Sequence, residues 1–205
     1  MYDFLRFVPE NLMDLGFKSY IFMLEKPGIC GGVVVKAENP DELRKKLRKV
    51  RRNTIVGVIG NEAVCREAVM RRKVDLILDS DNRQLDYATI KLAAEKDVTI
   101  ELSMAKFIRN KGLSRMQLFE RLYDEVRVIK KFDVPFVVTT AAENMYEMRT
   151  RRQVENFFSF FGCEIVKARQ HATRLIRKYY DTRFIMDGFE IEAELGADIK
   201  KTQKT

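Results

Sequence analysis

The chain has 205 residues, 46% of them hydrophobic, which suits one domain with a real core and excludes wholesale disorder. It holds one histidine and three widely spaced cysteines (Cys30, Cys65 and Cys163), which excludes a multi-histidine metal centre and fits reduced thiols in a cytosol. No apolar run is long enough for a bilayer, and Asp3 and Glu10 interrupt any signal-peptide pattern, so a cytoplasmic protein without a membrane partner is expected.

Short apolar runs read as strands at Tyr2–Leu5, Tyr20–Leu24 and Gly32–Val35. Asn39-Pro40-Asp41-Glu42 then supplies an N-cap, a first-turn proline and two acids, opening a helix with Leu43, Leu47 and Val50 as its buried stripe. Its other positions, Arg44, Lys45, Lys46, Arg48, Lys49, Arg51 and Arg52, read as a solvated basic face. A further strand is expected at Ile55–Ile59. Val74–Leu78 is too continuously apolar for a half-exposed strand, so both of its faces should be covered. Ser80, Asp81 and Asn82 are helix-start residues for the stretch in which Leu85, Ala88, Thr89, Leu92 and Ala93 recur, and Val98–Leu102 alternates as the next strand. Residues 74–102 therefore form a βαβ unit with parallel strands.

Ser114-Arg115-Met116-Gln117 is a capping-box pattern ahead of Leu118, Leu122, Val126 and Ile129. A strand follows at Phe136–Thr139, then helices from about Glu147 to Phe161 and from Glu164 to Tyr180. Phe157, Phe160 and Phe161 share helical spacing and read as core and partner contact. A less distinct strand lies between Phe184 and Ile191. Seven or eight strands with interleaved helices and no flexible linker predict one compact, irregular (β/α) barrel over residues 1–199, with Lys200–Thr205 as a disordered tail. A doubly wound open sheet is the alternative.

The net charge of +8 is uneven: residues 103–183 hold 17 basic and 9 acidic side chains. A concentrated basic surface suggests a polyanionic partner. Arg83, Lys106, Arg109, Arg115, Arg149 and Arg152 all follow predicted strands or open the next helix. In a parallel barrel such positions share the C-terminal rim, where guanidinium groups can grip phosphates. Catalytic patterns are scarce. No G-x-S-x-G elbow occurs, Gly28-Ile29-Cys30-Gly31-Gly32 lacks the Lys-Ser/Thr of a phosphate loop, and His171 lies within a helix. A carboxylate Mg²⁺ site from Asp79, Asp81 and Glu101 stays open, as does a stand-alone metal-dependent phosphoesterase built on it. So does a plain protein-interaction barrel with incidental basic charge.

The path from VDLILDSD through LDYATIKLAAEKDVTIELS to FVVTTAAENMYEMRTRRQVENFFSFFG resembles the archaeal ribonuclease P protein component 3 family, over roughly Asp3 to Tyr180. That family is the counterpart of the eukaryotic 30-kilodalton ribonuclease P subunit. The resemblance implies a TIM-like barrel related in fold to the polymerase-and-histidinol-phosphatase hydrolases. It implies work in a ribonucleoprotein that removes 5′ leaders from precursor tRNA, where the RNA subunit holds the catalytic Mg²⁺ and the protein supports the RNA. The implied partners are ribonuclease P RNA, precursor tRNA, protein component 2 and the other protein subunits. No cofactor is expected on the chain itself, and the chain alone should be inactive. Asp79 and Glu101 fall at strand ends that related hydrolases use for metal, without the histidines needed beside them. Arg149 and Arg152 match the family's Arg-x-Pro-Arg, although Arg151 replaces its proline and Thr140-Ala141-Ala142 replaces its Ser-Gly-Ala-like turn.

Overall fold

A computed structural model describes residues 1–26, 31–50 and 54–181, and the backbone of 184–186 and 189–190. The predicted tail and most of the Gly28–Gly32 segment lie outside the described residues. Seven parallel strands run in sequence order: β1 (Tyr2–Leu5), β2 (Ser19–Leu24), β3 (Gly32–Lys36), β4 (Ile55–Ile59), β5 (Leu76–Ile77), β6 (Thr99–Ser103) and β7 (Phe136–Thr139). Helices α1 (Pro40–Lys49), α2 (Glu62–Val69), α3 (Tyr87–Lys96), α4 (Ala105–Arg109), α5 (Gly112–Phe132), α6 (Arg151–Phe160) and α7 (Ile165–Tyr180) lie between or after them. This is a TIM-like α/β barrel, nearly closed. The predicted eighth barrel strand is instead a separate antiparallel pair, β8 (Phe184–Met186) with β9 (Phe189–Glu190).

The period-two alternation of the strands separates two apolar layers. Phe4, Ile21, Met23, Val34, Ile55, Leu76, Leu78 and Val137 form a cluster inside the barrel. Val33, Val35, Val56, Val58, Ile77, Ile100, Leu102, Phe136 and Val138 pack outwards on the helices. Gly57 makes room for the interior: a Cβ there would fall 2.6 Å from the Leu78 side chain. Asn39 caps α1 as its sequence predicts, accepting from the Glu42 amide at 2.9 Å.

Helix α7 closes the N-terminal end. Ala172, Leu175 and Ile176 join the interior cluster, while aspartates just before three strands or ending their preceding helices fasten the helix from outside. Asp75 accepts from Lys178 (2.8 Å) and Tyr179 (2.7 Å), Asp97 receives both arms of Arg174, and Asp133 accepts from Lys167. Asp97 and Asp133 sit in the left-handed region that ends α3 and α5, which turns their carboxylates towards α7. His171 serves structure here: its Nδ1 accepts the Phe136 amide at 3.1 Å, and burial lowers its pKa. Among the described residues, only the C-terminal end of the barrel is left open.

Three predicted helix starts move, and the one expected at about Glu147 falls at Arg151, because Glu147 ends a separate 3₁₀ turn. The segment after β5 does not begin a helix at Ser80–Asn82; Asp86 is the N-cap, accepting from the Thr89 amide at 3.0 Å. Asp79 and Asp81 are engaged by basic side chains and are not available as caps. Helix α5 starts at Gly112, two residues before the capping-box serine, with Gly112 in the left-handed region at φ +56°. The true capping box opens α6, where Thr150 and Gln153 bond reciprocally. In α6 the buried phenylalanine is Phe158, and Phe160 is 85% exposed.

Strands β1 and β7 meet across a seam held by side chains. Asp3, fully buried, accepts from the Thr140 amide (2.7 Å), the Thr140 hydroxyl (2.6 Å) and the Phe4 amide (3.0 Å), while the Arg6 amide reaches the Ala142 carbonyl (2.8 Å). Burial pushes the Asp3 pKa from 3.8 up to about 7, although these hydrogen bonds pull it down. A raised folded-state pKa means that the contribution to stability is complete below the free value and is lost as pH rises through about 7. Asp3→Asn keeps an acceptor and a donor facing Thr140 and removes that loss. Its Tm relative to the parent chain should rise steadily between about pH 5 and about pH 8; a constant or shrinking difference contradicts this account.

Candidate nucleic-acid interface at the open end of the barrel

The strand ends at the open mouth carry charge that a hydrophobic core cannot hold alone. Asp79 follows β5, and Glu101 projects from β6 into the barrel; both are buried. Asp79 is met by Lys106 from α4 at 2.8 Å and by Arg83 at 3.3 Å, and it accepts the Ser103 amide at 2.8 Å. Glu101 accepts from the Arg6 guanidinium, the Asp79 amide (2.9 Å) and the Thr139 hydroxyl (2.9 Å). Arg83 also donates to the Glu101 carbonyl (2.7 Å) and pairs with Glu125 of α5 at 2.5 Å. Burial works against ionising Asp79, but the Arg83 and Lys106 charges outweigh it and hold the carboxyl below its usual range. Arg83 loses solvation by the same burial, yet Asp79 and Glu125 raise its pKa. Three carboxylates and three side-chain cations thus form one connected set, in which Arg6 Nη1 is buried without a partner among the described residues.

A second tier lies nearer solvent. Arg109 pairs with Asp81 (2.8 Å), Glu143 (3.0 Å) and Glu147 (3.5 Å), and Asn110 also donates to Asp81 at 3.2 Å. Partial burial lowers the Arg109 pKa, but these acids raise it overall. Arg6, Lys36 and Arg109, together with Glu25, Asp81 and Glu143, are among the walls of an open cavity of about 690 Å³.

This arrangement does not suit a resident metal. Asp79 and Glu101 already face covalently tethered cations, and among the described residues no three His, Cys, Asp or Glu side chains converge as ligands. The two cysteines among the described residues are poor nucleophiles. Burial pushes the Cys65 and Cys163 thiols up to about 11 and about 12, far from the thiolate form at neutral pH.

The six basic residues picked out by sequence divide into two groups. Arg83 and Lys106 are buried within the ion network and present no charge to a macromolecule. Arg109 is partly exposed but held by carboxylates. Arg115, at the start of α5, donates Nε to the Asn110 carbonyl at 2.7 Å, and no carboxylate pairs with it among the described residues. Arg149 donates to the Tyr146 and Met148 carbonyls, both at 2.7 Å, and Arg152 is exposed without an ion pair among the described residues. Arg6 and Glu125 complete the network and carry no sequence motif; Arg6 is signalled only by a base directly following the first apolar strand. No helix among the described residues is long and apolar enough to cross a membrane.

Comparison with known proteins agrees with this geometry. A model of the RNase P subunit p30 family matches residues 9–182. The chain is 70% identical to ribonuclease P protein component 3 of Archaeoglobus fulgidus over 192 residues, 94% of this chain and 96% of that one. The component 3 protein of Methanothermobacter thermautotrophicus is 27% identical over 151 residues, 71% of this chain and 62% of the relative. A chain from a cryo-EM structure of archaeal ribonuclease P with mature tRNA superposes with a TM-score of 0.77, covering 100% of both chains at 21% identity. At that identity the likeness is one of fold.

The two groups of bases should separate in stability measurements. Lys106→Met keeps the aliphatic stem but leaves Asp79 short of a cation, and it should cost about 3 kcal/mol in chemical denaturation. Arg152→Ala should stay within about 0.5 kcal/mol of the parent. Equal, small effects from both would show that the Lys106–Asp79 pair is not structural.

Proposed function

The chain belongs to the RNase P subunit p30 family and is a protein subunit of ribonuclease P, and from that premise we propose how it serves the enzyme. It binds and supports the catalytic RNA that removes the 5′ leader of precursor tRNA, and the RNA, with its own Mg²⁺, carries the chemistry. Its place is the cytoplasm, beside protein component 2 and the other protein subunits. The observation behind this reading is the connected ion network at the barrel mouth. Where a barrel hydrolase needs free carboxylates for a metal, Arg6, Arg83 and Lys106 already occupy them. The rival phosphoesterase therefore lacks its donor set.

The RNA contacts belong to the bases whose charge is not already matched. Arg115, Arg149 and Arg152 start helices or lead into them from the open rim, and a phosphate there displaces no carboxylate. At Arg109 a phosphate competes with Asp81, Glu143 and Glu147, so that residue contributes less to affinity and more to holding the loops after β5 and β7 together. Backbone contacts of this kind fix register and orientation and carry no sequence information themselves.

Binding of ribonuclease P RNA should weaken log-linearly with salt, with a slope near −0.7 to −0.9 per neutralised phosphate, roughly. Arg115→Ala with Arg152→Ala should make that slope shallower by about one to two, while Lys45→Ala with Arg48→Ala on α1 leaves it unchanged. Equal changes from both pairs contradict the rim assignment. Rigorously RNA-free protein should cleave no precursor tRNA in Mg²⁺ or Mn²⁺. Cleavage that is lost in Glu101→Gln would establish the rival.

A further inference from the structure

One side chain at the open end is unexplained by folding. Tyr146 is 90% exposed, more than any other large hydrophobic side chain among the described residues. An aromatic ring in water contributes almost nothing to the core, yet the loop that carries it is fastened at every stage. The Arg6 amide holds the Ala142 carbonyl at 2.8 Å, and Ala142 is fully buried. Glu147, also buried, accepts the Glu143 amide at 2.9 Å and faces Arg109. Asn144 caps the 3₁₀ turn Met145–Glu147 by accepting the Tyr146 amide at 3.0 Å, and Arg149 clamps the Tyr146 carbonyl at 2.7 Å. The backbone below the ring is thus fixed, and its phenol is presented with only two side-chain torsions free.

We infer that Tyr146 is a stacking platform for an unpaired nucleobase of the RNA. The inference rests on the proposed RNA-binding role and deepens it by naming a contact to a base in addition to the phosphates. Charge selects this occupant over a protein surface. Arg149 and Arg152 follow within six residues, neither is paired with a carboxylate among the described residues, and the nearby acids Glu143 and Glu147 are both engaged by Arg109. A flat π-face beside unmatched guanidinium groups fits a nucleotide, whose base and phosphate need one of each. Every base has a π-face, so the platform tolerates sequence and demands only that the base be splayed out of a helix.

The chain contains no tryptophan, so Tyr146→Trp introduces a sole indole reporter at an exposed position. Titrating this full-length variant with ribonuclease P RNA transcribed in vitro should quench its emission in a saturable way. Tyr146→Ala should raise the Kd about tenfold, the scale of one base–aromatic stack, with the salt slope unchanged. Tyr146→Phe should stay close to the parent. If Arg115→Ala with Arg152→Ala weakens binding but Tyr146→Ala does not, and the indole emission is unmoved by saturating RNA, the stacking inference fails while the RNA-binding role stands. If neither set of variants affects binding, both fail. Emission that responds to protein component 2 and not to RNA would overturn the inference in favour of a protein contact.

Discussion

Burying a carboxylate at the end of a strand costs several kcal/mol unless a cation and hydrogen-bond donors meet it, and this barrel buries Asp79 and Glu101 side by side. Their compensation comes from five parts of the chain: Arg6 after β1, Arg83 after β5, Lys106 in α4, the Ser103 amide ending β6 and the Thr139 hydroxyl ending β7. Glu125 of α5 then matches the remaining charge of Arg83. Because Arg6–Glu101, Lys106–Asp79 and Arg83–Glu125 each join distant parts of the chain, the network fixes how the loops after β1, β5 and β6 sit relative to α5. Breaking any one link leaves an unmatched buried charge, which is far more costly than the pair is stabilising. The same bonds that order the rim also occupy the carboxylates that a metal would need.

Helix α7 lies across the N-terminal mouth, inserting Ala172, Leu175 and Ile176 into the interior while Asp75, Asp97 and Asp133 anchor its exposed side. With that end plugged, loops that start α5 and α6 from the other end carry the unmatched arginines. Cationic side chains on a rigid scaffold bind a polyanion without a backbone ordering cost, and their contribution is set by salt.

The layered β/α order was legible in the sequence because covered strands are continuously apolar and the helices keep a clean period. Ile55–Ile59 and Phe136–Thr139 fall on their predicted bounds. The Asn39-Pro40 cap was legible too, since its geometry is local. What failed was non-local. Asp81 reads as a helix cap until Arg109 and Asn110 are seen to hold it. Phe160 shares the period of its neighbours but faces solvent, because α6 packs through Phe158. At the site, strand-end bases were identifiable as a class, yet burial separates Arg83 and Lys106 from Arg115, Arg149 and Arg152. Nothing in a run of charges tells a buried ion pair from a free guanidinium when its partners lie tens of residues away. Arg6 and Glu125 were missed for the same reason.

The account depends on Asp79 and Glu101 being neutralised by side-chain cations and not by a metal ion. Electron paramagnetic resonance of Mn²⁺ titrated into RNA-free protein tests this directly. The account predicts that the signal of free Mn²⁺ is undiminished at stoichiometric protein. Uptake of one ion per chain, abolished by Glu101→Gln, would contradict it.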